Sequence, residues 1–257
     1  MIASFHLVTF RRRKLLPGGR SPGRVDGLRF WRAMSTGMDP FLSIPPDVSR
    51  VRLLKPNFRE WAFFGVWESE ADVDRFLTAS RVADIWKDDS DETWSVWLEP
   101  VSSRGDWPGV KALHGPEANG LPRAPAALIT RLDLPIGALG AMWLSAVPEI
   151  ATHTPSVPGL LAGVPIMDRP YVNPMTFSVW SSIDDAMAFA YRGAPHQQAV
   201  GRLRKTCEDI ASRLSSARFY PYRSEGTWKG ANPLAPYAES LPRKAAAPSA
   251  GIRHNDD

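Results

Sequence analysis

Cysteine is nearly absent from this chain, which has 257 residues and a single cysteine, Cys207. One cysteine excludes an intramolecular disulfide, and the spacing of cysteine and histidine matches no zinc cluster. A chain without disulfides is typical of a reducing compartment, so the predicted location is the cytoplasm.

Long apolar runs are also lacking. The longest, residues 134–147, covers about fourteen residues, too few to span a bilayer. No signal peptide is visible, because the apolar start of the chain precedes a basic run instead of following one. The sequence contains no Gly-x-Ser-x-Gly elbow, no phosphate-binding glycine loop and no dinucleotide fingerprint, so nothing indicates a serine hydrolase or a nucleotide-binding enzyme.

Excess negative charge is absent too, since the net charge is +4. Residues 11–14 (Arg-Arg-Arg-Lys), Arg20 and Arg24 form a basic stretch rich in glycine and proline. A solvated loop is the simplest interpretation, and peripheral contact with anionic lipid stays open. Nucleic acid is not an expected partner, because no nucleic-acid motif is present and no aromatic residues alternate with the basic ones.

An internal repeat is the most informative feature that is present. Residues 64–67 (Phe-Gly-Val-Trp) align with residues 177–180 (Phe-Ser-Val-Trp) at an offset of 113, and the same offset places Ala83 on His196. A repeat of this length predicts two small domains of roughly 110 residues each. Further pairs extend the repeat: Phe76 with Phe189, Trp31 with Trp143, Val51 with Val164, and residues 105–109 with 226–230.

Each copy is predicted to have the β-α-β-β-α-β order of a ferredoxin-like unit. In the first copy, strands are expected at 4–10, 49–54, 61–67 and 93–98, with helices at 28–34, capped by Asp26, and from Ser69 onward. In the second copy, strands are expected at 126–132, 164–167 and 175–180, with helices at 136–144 and from Ser182 to Ala190.

The predicted fold class is therefore α+β, with two tandem ferredoxin-like units whose sheets pack face to face. The first unit covers residues 1–112, a linker covers 113–125, and the second unit covers 126–232. The remaining segment, 233–257, is rich in proline, alanine and charge, and is expected to be a disordered tail.

His196 is the clearest candidate for a functional residue. Gly193 suits the end of one helix and Pro195 the start of the next, so His196 falls in the first turn of that helix. The imidazole then lies on the buried face, either as a core histidine bonded to a carbonyl or as an axial ligand of a planar cofactor. A lone histidine argues against a three-ligand zinc site. The apolar stripe that defines this face is Ala199, Val200, Leu203, Cys207, Ile210 and Leu214.

Several motifs together resemble the spheroidene monooxygenase family over residues 3–234. They are residues 30–31, 61–67, 99–100, 130–131, 175–180 (Met-Thr-Phe-Ser-Val-Trp), 194–196 (Ala-Pro-His) and 228–230. The resemblance implies a pseudo-dimeric α+β barrel, association with haem iron, and oxygen-dependent conversion of acyclic carotenoids to keto-carotenoids. It makes His196 the candidate proximal ligand of the iron, and the second unit the haem-binding unit.

Two departures from the family pattern concern access to the substrate. Residues 37–40 lack the expected glycine richness, and the basic insertion after the first strand is longer. A carotenoid-like substrate is therefore one expectation and another apolar substrate is the alternative.

If haem binds, three polar residues have candidate roles. Arg131 would hydrogen-bond an iron-bound oxygen species or a haem propionate, unless it forms a strand-end salt bridge with Asp133. Thr176 and Ser178 share one strand face by the period of two, and would donate to a ligand of the haem or satisfy nearby backbone groups.

Three functions remain open from the sequence. The first is a haem-dependent monooxygenase that acts on a hydrophobic small molecule and uses an electron donor. The second is a redox-neutral haem enzyme similar to aldoxime dehydratase. The third is a haem-binding module without enzymatic activity.

Overall fold

A computed structural model describes residues 1–14, 22–37, 57–105, 125–142, 157–169 and 172–241. Within this part of the chain, eight strands close into a barrel in the order β1-β3-β2-β6-β7-β5-β8-β4. The strands are β1 (Ile2–Phe10), β2 (Leu28–Thr36), β3 (Asn57–Trp67), β4 (Ser90–Arg104), β5 (Ala126–Leu132), β6 (Leu160–Arg169), β7 (Val172–Trp180) and β8 (Leu214–Gly226). The helices are α1 (Glu70–Ala79), α2 (Arg81–Asp89), α3 (Ile136–Ala141), α4 (Ile183–Arg192) and α5 (Ala194–Thr206).

Both halves of the barrel have the same strand order. The first half runs β4-β1-β3-β2 and the second runs β8-β5-β7-β6, and every neighbouring pair is antiparallel. The halves join through a long pairing of β4 with β8 and a short pairing of β2 with β6. The predicted class, two ferredoxin-like units forming an α+β barrel, is confirmed.

The helix predicted over residues 28–34 is wrong, because this segment is strand β2. Phe30 and Met34 are four residues apart, which fits a helix, but the spacing fits a period of two equally well. In the structure both side chains enter the barrel core while Trp31 faces outward, and β3 pairs with the backbone. Residues 11–14 and 22–27 contain no helix, and the strand predicted at 49–54 lies outside the described residues.

Strand register corrects part of the repeat. Trp31 pairs with Gly65 in the first half, and Gly163 pairs with Ser178, the counterpart of Gly65, in the second. Trp31 therefore corresponds to Gly163, not to Trp143. By the same register Val164 corresponds to Arg32 and not to Val51. The offset of 113 holds from β3 and β7 into the two helices that follow each of them, and it becomes 121 in β4 and β8 because the second half is longer before its last strand.

The end of the second unit differs from the prediction in two ways. Helix α5 ends at Thr206, so Leu214 begins strand β8 and does not extend the helical stripe. Residues 233–241 are ordered against the barrel, since Leu234 is 1% exposed and packs into the barrel core with Trp228. The expectation of a disordered tail is therefore wrong for this stretch, and residues 242–257 lie outside the described part.

Apolar side chains form three clusters, one inside the barrel and two under the helices. In the first half, α1 and α2 pack directly on the outer face of the sheet through Phe76 and Trp86. In the second half, the third cluster joins α3 to α5 through Ala138, Ala199 and Leu203. The helices of the second half thus pack chiefly against each other.

Candidate functional site

Large side chains fill the outer face of the first-half sheet. Phe63 lies at its centre, 4% exposed, with its ring close to those of Trp31, Phe76 and Trp86. Strand register gives two rows of outward-facing residues: Trp31, Gly65, Ser4 and Trp97 in one, and Ala33, Phe63, His6 and Ser95 in the other. Helix and sheet therefore form a solid layer here.

The corresponding face of the second half lacks this aromatic filling. Its two rows are Gly163, Ser178, Leu128 and Arg218, and Pro165, Thr176, Thr130 and Ser216. Thr176 takes the place of Phe63 and is exposed, although β7 is a central strand. On the helix side, Ala199 takes the place of Trp86 and packs toward α3. We call the eight residues of these two second-half rows the open face.

The turn that places His196 depends on Gly193. This glycine separates α4 from α5, and a Cβ atom there would lie 2.6 Å from the carbonyl oxygen of Phe189. In the first half Ser80 occupies the same position, where its hydroxyl accepts a hydrogen bond from the Ala83 amide. Glycine therefore permits a close approach that brings the first turn of α5 against the end of α4.

The hydrogen bond of His196 sets its tautomer. Nδ1 lies 3.1 Å from the carbonyl oxygen of Ala190. A carbonyl can only accept, so Nδ1 carries the proton and donates. Burial lowers the pKa of His196 below its ordinary value, although this hydrogen bond opposes the shift. The imidazole is therefore neutral near pH 7, with an unprotonated Nε2, the form that ligates a metal.

Ring contacts connect His196 to the open face. Its ring centroid is 5.1 Å from that of Phe189, which is 5.3 Å from that of Trp180. Trp180 Nε1 in turn donates to Ser178 Oγ at 2.9 Å. The histidine and the open face thus belong to one packed unit at the end of β7.

Thr176 and Ser178 lie on the face that the sequence predicts. Both point outward from β7, and the Thr176 hydroxyl hydrogen-bonds to that of Thr130. The Ser178 hydroxyl accepts from Trp180 and keeps its own proton available. The structure therefore brings both hydroxyls together on the open face.

Arg131 lies on the face of β5 opposite to the open face. It alternates with Thr130, so it has the orientation of the barrel-core residue Ile129. Its side chain is 15% exposed, and Nη2 lies 3.5 Å from Asp133 Oδ2. The structure contains the strand-end ion pair and does not bring Arg131 to the open face.

Arg218 is a cation on the open face that sequence reasoning missed. It lies on β8 beside Leu128, and its Nη2 contacts the sulfur of Met187 on α4 at 3.3 Å. An offset of 121, which holds for Gly105 and Gly226, also pairs Trp97 with Arg218. Extending that offset along the strand would have revealed a tryptophan replaced by an arginine.

Part of the basic run after β1 is paired with carboxylates. Lys14 Nζ lies 2.6 Å from Asp89 and holds the pKa of that carboxyl below its ordinary value, while Arg11 lies 3.5 Å from Asp91. In the described ranges, no helix is both long and apolar enough to cross a membrane. The same ranges contain no group of three or more His, Cys, Asp or Glu side chains arranged to hold a metal ion.

Curated proteins similar to this chain share one name. Spheroidene monooxygenase of Rhodobacter capsulatus is 33% identical over 70% of this chain and 74% of its own length. Spheroidene monooxygenase of Rubrivivax gelatinosus is 29% identical over 79% of this chain and 73% of its own length. No protein-family model matches the chain.

Among solved structures, aldoxime dehydratase in complex with butyraldoxime superposes with a TM-score of 0.51. It is 13% identical and covers 85% of this chain and 79% of its own. At this identity the likeness concerns the fold alone.

Proposed function

The chain belongs to the spheroidene monooxygenase family and is a monooxygenase, and we propose that it depends on haem, with His196 as the proximal ligand of the iron. The observation that carries the proposal is the combination of an unprotonated Nε2 on α5 with an open face on the sheet of the same half. The matched site in the first half has Ala83 in place of the histidine and a face filled by large side chains, and so offers neither the matched ligand nor space.

The residues present fit a haem group in three respects. His196 is neutral and fixed by the Ala190 carbonyl, which is the usual second partner of a metal-bound imidazole. Thr176 is exposed on a central strand, which leaves room over this part of the sheet for a planar ring. Phe189 and Trp180 supply apolar contacts beside it.

Haem in this site would supply the redox-active iron that oxygen activation requires. The protein residues have separate tasks. The Ala190 carbonyl orients the imidazole and raises its basicity, because it holds the proton on Nδ1. The hydroxyls of Thr176 and Ser178 provide short-range hydrogen-bond donors on the sheet side.

The proposed substrate is a hydrophobic, carotenoid-like polyene. Relatives named spheroidene monooxygenase support this class, and the rings of Trp180 and Phe189 lie at one end of the open face. Insertion of one oxygen atom from O₂, with the other leaving as water, consumes two electrons and two protons. An external electron donor is therefore an implied partner, and contact of the basic run with a membrane stays a prediction.

The two other functions inferred from the sequence receive less support. A redox-neutral enzyme similar to aldoxime dehydratase rests only on the fold. A haem-binding module without activity is inconsistent with membership in an enzyme family.

Replacement of His196 tests the proposal directly. We expect wild-type protein expressed with ample haem to show a Soret band, and His196→Gly to lose it. Added imidazole should restore the band in His196→Gly, because the free base would occupy the vacated position. Gln198→Ala, on the exposed side of the same helix, is the matched control and should resemble wild type.

Absence of a Soret band from wild-type protein, or an unchanged band in His196→Gly, would contradict haem ligation by this residue. Turnover of a carotenoid that needs both O₂ and reductant would support the monooxygenase reaction on this substrate. Product formed at equal rates without oxygen would contradict it.

A further inference from the structure

Arg218 differs in its partners from Arg213 and Arg223, the described arginines on either side of it along the chain. Arg223, five residues further along β8, contacts Glu70, Asp74 and Glu225. Arg213 pairs with Asp209. For Arg218 the structure shows one polar contact, to the Met187 sulfur, and no carboxylate in the described residues lies within ion-pair distance.

A thioether is a weak acceptor for a guanidinium group with five N–H donors. Arg218 is half-buried, so the protein has partly removed a charge from water without giving it a counter-charge. Such a position is unfavourable unless a ligand supplies the anion. Among the eight residues of the open face Arg218 is also the one with a formal charge.

The position of Arg218 relates it to the candidate site. Its partner Met187 lies three residues before Ala190, the residue whose carbonyl holds His196. Residues three apart on a helix share a face and are separated by about 4.5 Å along the axis. The guanidinium therefore contacts the same stretch of α4 that orients the imidazole.

The first half of the barrel has no candidate site, and it shows which residue occupies the position of Arg218 there. Trp97 takes the place of Arg218 in the first half and is fully buried. Arg218 therefore occupies a position that the first half fills with a large, packed aromatic ring.

We propose that Arg218 binds an anionic group of the ligand that occupies the open face. This inference rests on the proposed function, in which the anion is either a haem propionate or a small anion bound to iron on the sheet side. Both sources share the chemistry of a charge-assisted hydrogen bond to a guanidinium.

The experiment compares wild-type protein with Arg218→Gln, Arg218→Lys and the control Arg204→Gln, an exposed arginine of α5. The first arm measures the affinity of the haem-free protein for protohaem and for its dimethyl ester. The second arm measures the affinity of the ferric protein for fluoride from the shift of the Soret band. Thermal unfolding of each variant establishes that the fold is retained.

We expect Arg218→Gln to weaken one of these anion affinities by about tenfold or more, with Arg218→Lys in between. Loss of affinity for protohaem but not for the ester identifies the propionate. Loss of fluoride affinity with unchanged haem affinity identifies an anion on the iron.

A third arm does not depend on haem. Fluorescent cis-parinaric acid and its methyl ester are titrated into haem-free protein, where we expect wild type to prefer the acid and Arg218→Gln to lose that preference. If wild type fails to bind haem, the proposed function fails while this arm still tests Arg218. The inference is overturned if Arg218→Gln matches Arg204→Gln in every arm.

Discussion

The two halves of the barrel have the same strand order and different outer faces. Their helices begin in the same way, since Ser69 and Ser182 each accept a hydrogen bond from the amide three residues later. Yet Phe63 fills the sheet of the first half, whereas Thr176 leaves the same position of the second half exposed. The comparison shows that the volume of a few side chains decides whether the outer face of a repeated sheet is filled or open.

The helix layer responds to this difference in volume. Trp86 inserts between α2 and the first sheet, with its ring centroid 5.7 Å from that of Phe63. Ala199, its counterpart, cannot reach the second sheet and packs with α3 instead. Aromatic contacts thus join helices to sheet in the first half, while the helices of the second half pack against each other and leave Thr176 exposed.

The largest expected effect is on stability in the first half. Phe63→Ala removes a buried ring that contacts aromatic side chains on both sheet and helix, and should lower the free energy of unfolding by about 3–5 kcal/mol. Thr176→Ala, at the matched exposed position, should change it by less than about 0.5 kcal/mol. Urea unfolding of both variants measures the difference, and equal losses would contradict the contrast between the faces.

A second prediction concerns a substitution that makes the open face resemble the filled face of the first half. Thr176→Phe places the first-half side chain in the second half, and should weaken haem binding by about 100-fold, a change of about 2.7 kcal/mol. The reason is that the phenylalanine ring would occupy the volume proposed for haem. Thr176→Val keeps the shape of the side chain and loses the hydroxyl, so it is the matched control and should retain haem. Haem titration followed by the Soret band measures both. Normal haem binding by Thr176→Phe would show that the ligand does not lie over this position.

The smallest expected effect concerns a buried histidine of the first half. His6 lies between Ser4 and Ser95, with 2.8 Å to each hydroxyl, and burial lowers its pKa to about 3. In the unfolded chain this histidine binds a proton as the pH falls below about 6.5, while His6 of the folded protein stays neutral. The free energy of unfolding is therefore highest above that pH and decreases as the pH falls toward 3. Between pH 7 and pH 5 the loss should be about 2 kcal/mol.

The control for His6 is His6→Gln, which keeps polar atoms and does not titrate. Its unfolding free energy should depend less on pH than that of wild type by this amount. Burial also lowers the pKa of His196, which acts in the same direction in both proteins and cancels in the comparison. Identical pH dependence of the two proteins would contradict a neutral His6.

Much of the second half could be predicted from the sequence, because its signals are local. The cap at Ser182, the break at Gly193 and the first-turn position of His196 each depend on a few adjacent residues, and each is found. The resemblance to a family was likewise correct, since it depends on ordered motifs. The role of His196 as an iron ligand stays a prediction.

The errors share a cause, which is pairing between distant strands. Residues 28–34 fit two periodicities, and β3 decides between them. Leu234 lies in a segment whose composition is typical of a disordered tail, but the side chain packs into the apolar core of the barrel. Arg131 and Arg218 are both cations on strands, and only the register assigns one to the core side and the other to the open face.

The sequence by itself determined that this chain is a duplicated unit with one added histidine, because similarity at a fixed offset and helix-end chemistry are properties of residues near each other. The tertiary structure alone decided which neighbours surround that histidine. The contact of His196 with the carbonyl of Ala190, the exposed position of Thr176 and the contact of Arg218 with Met187 became visible only when the strands closed into one barrel. A side chain's face depends on strand register, and register is set by contacts between residues far apart in the chain.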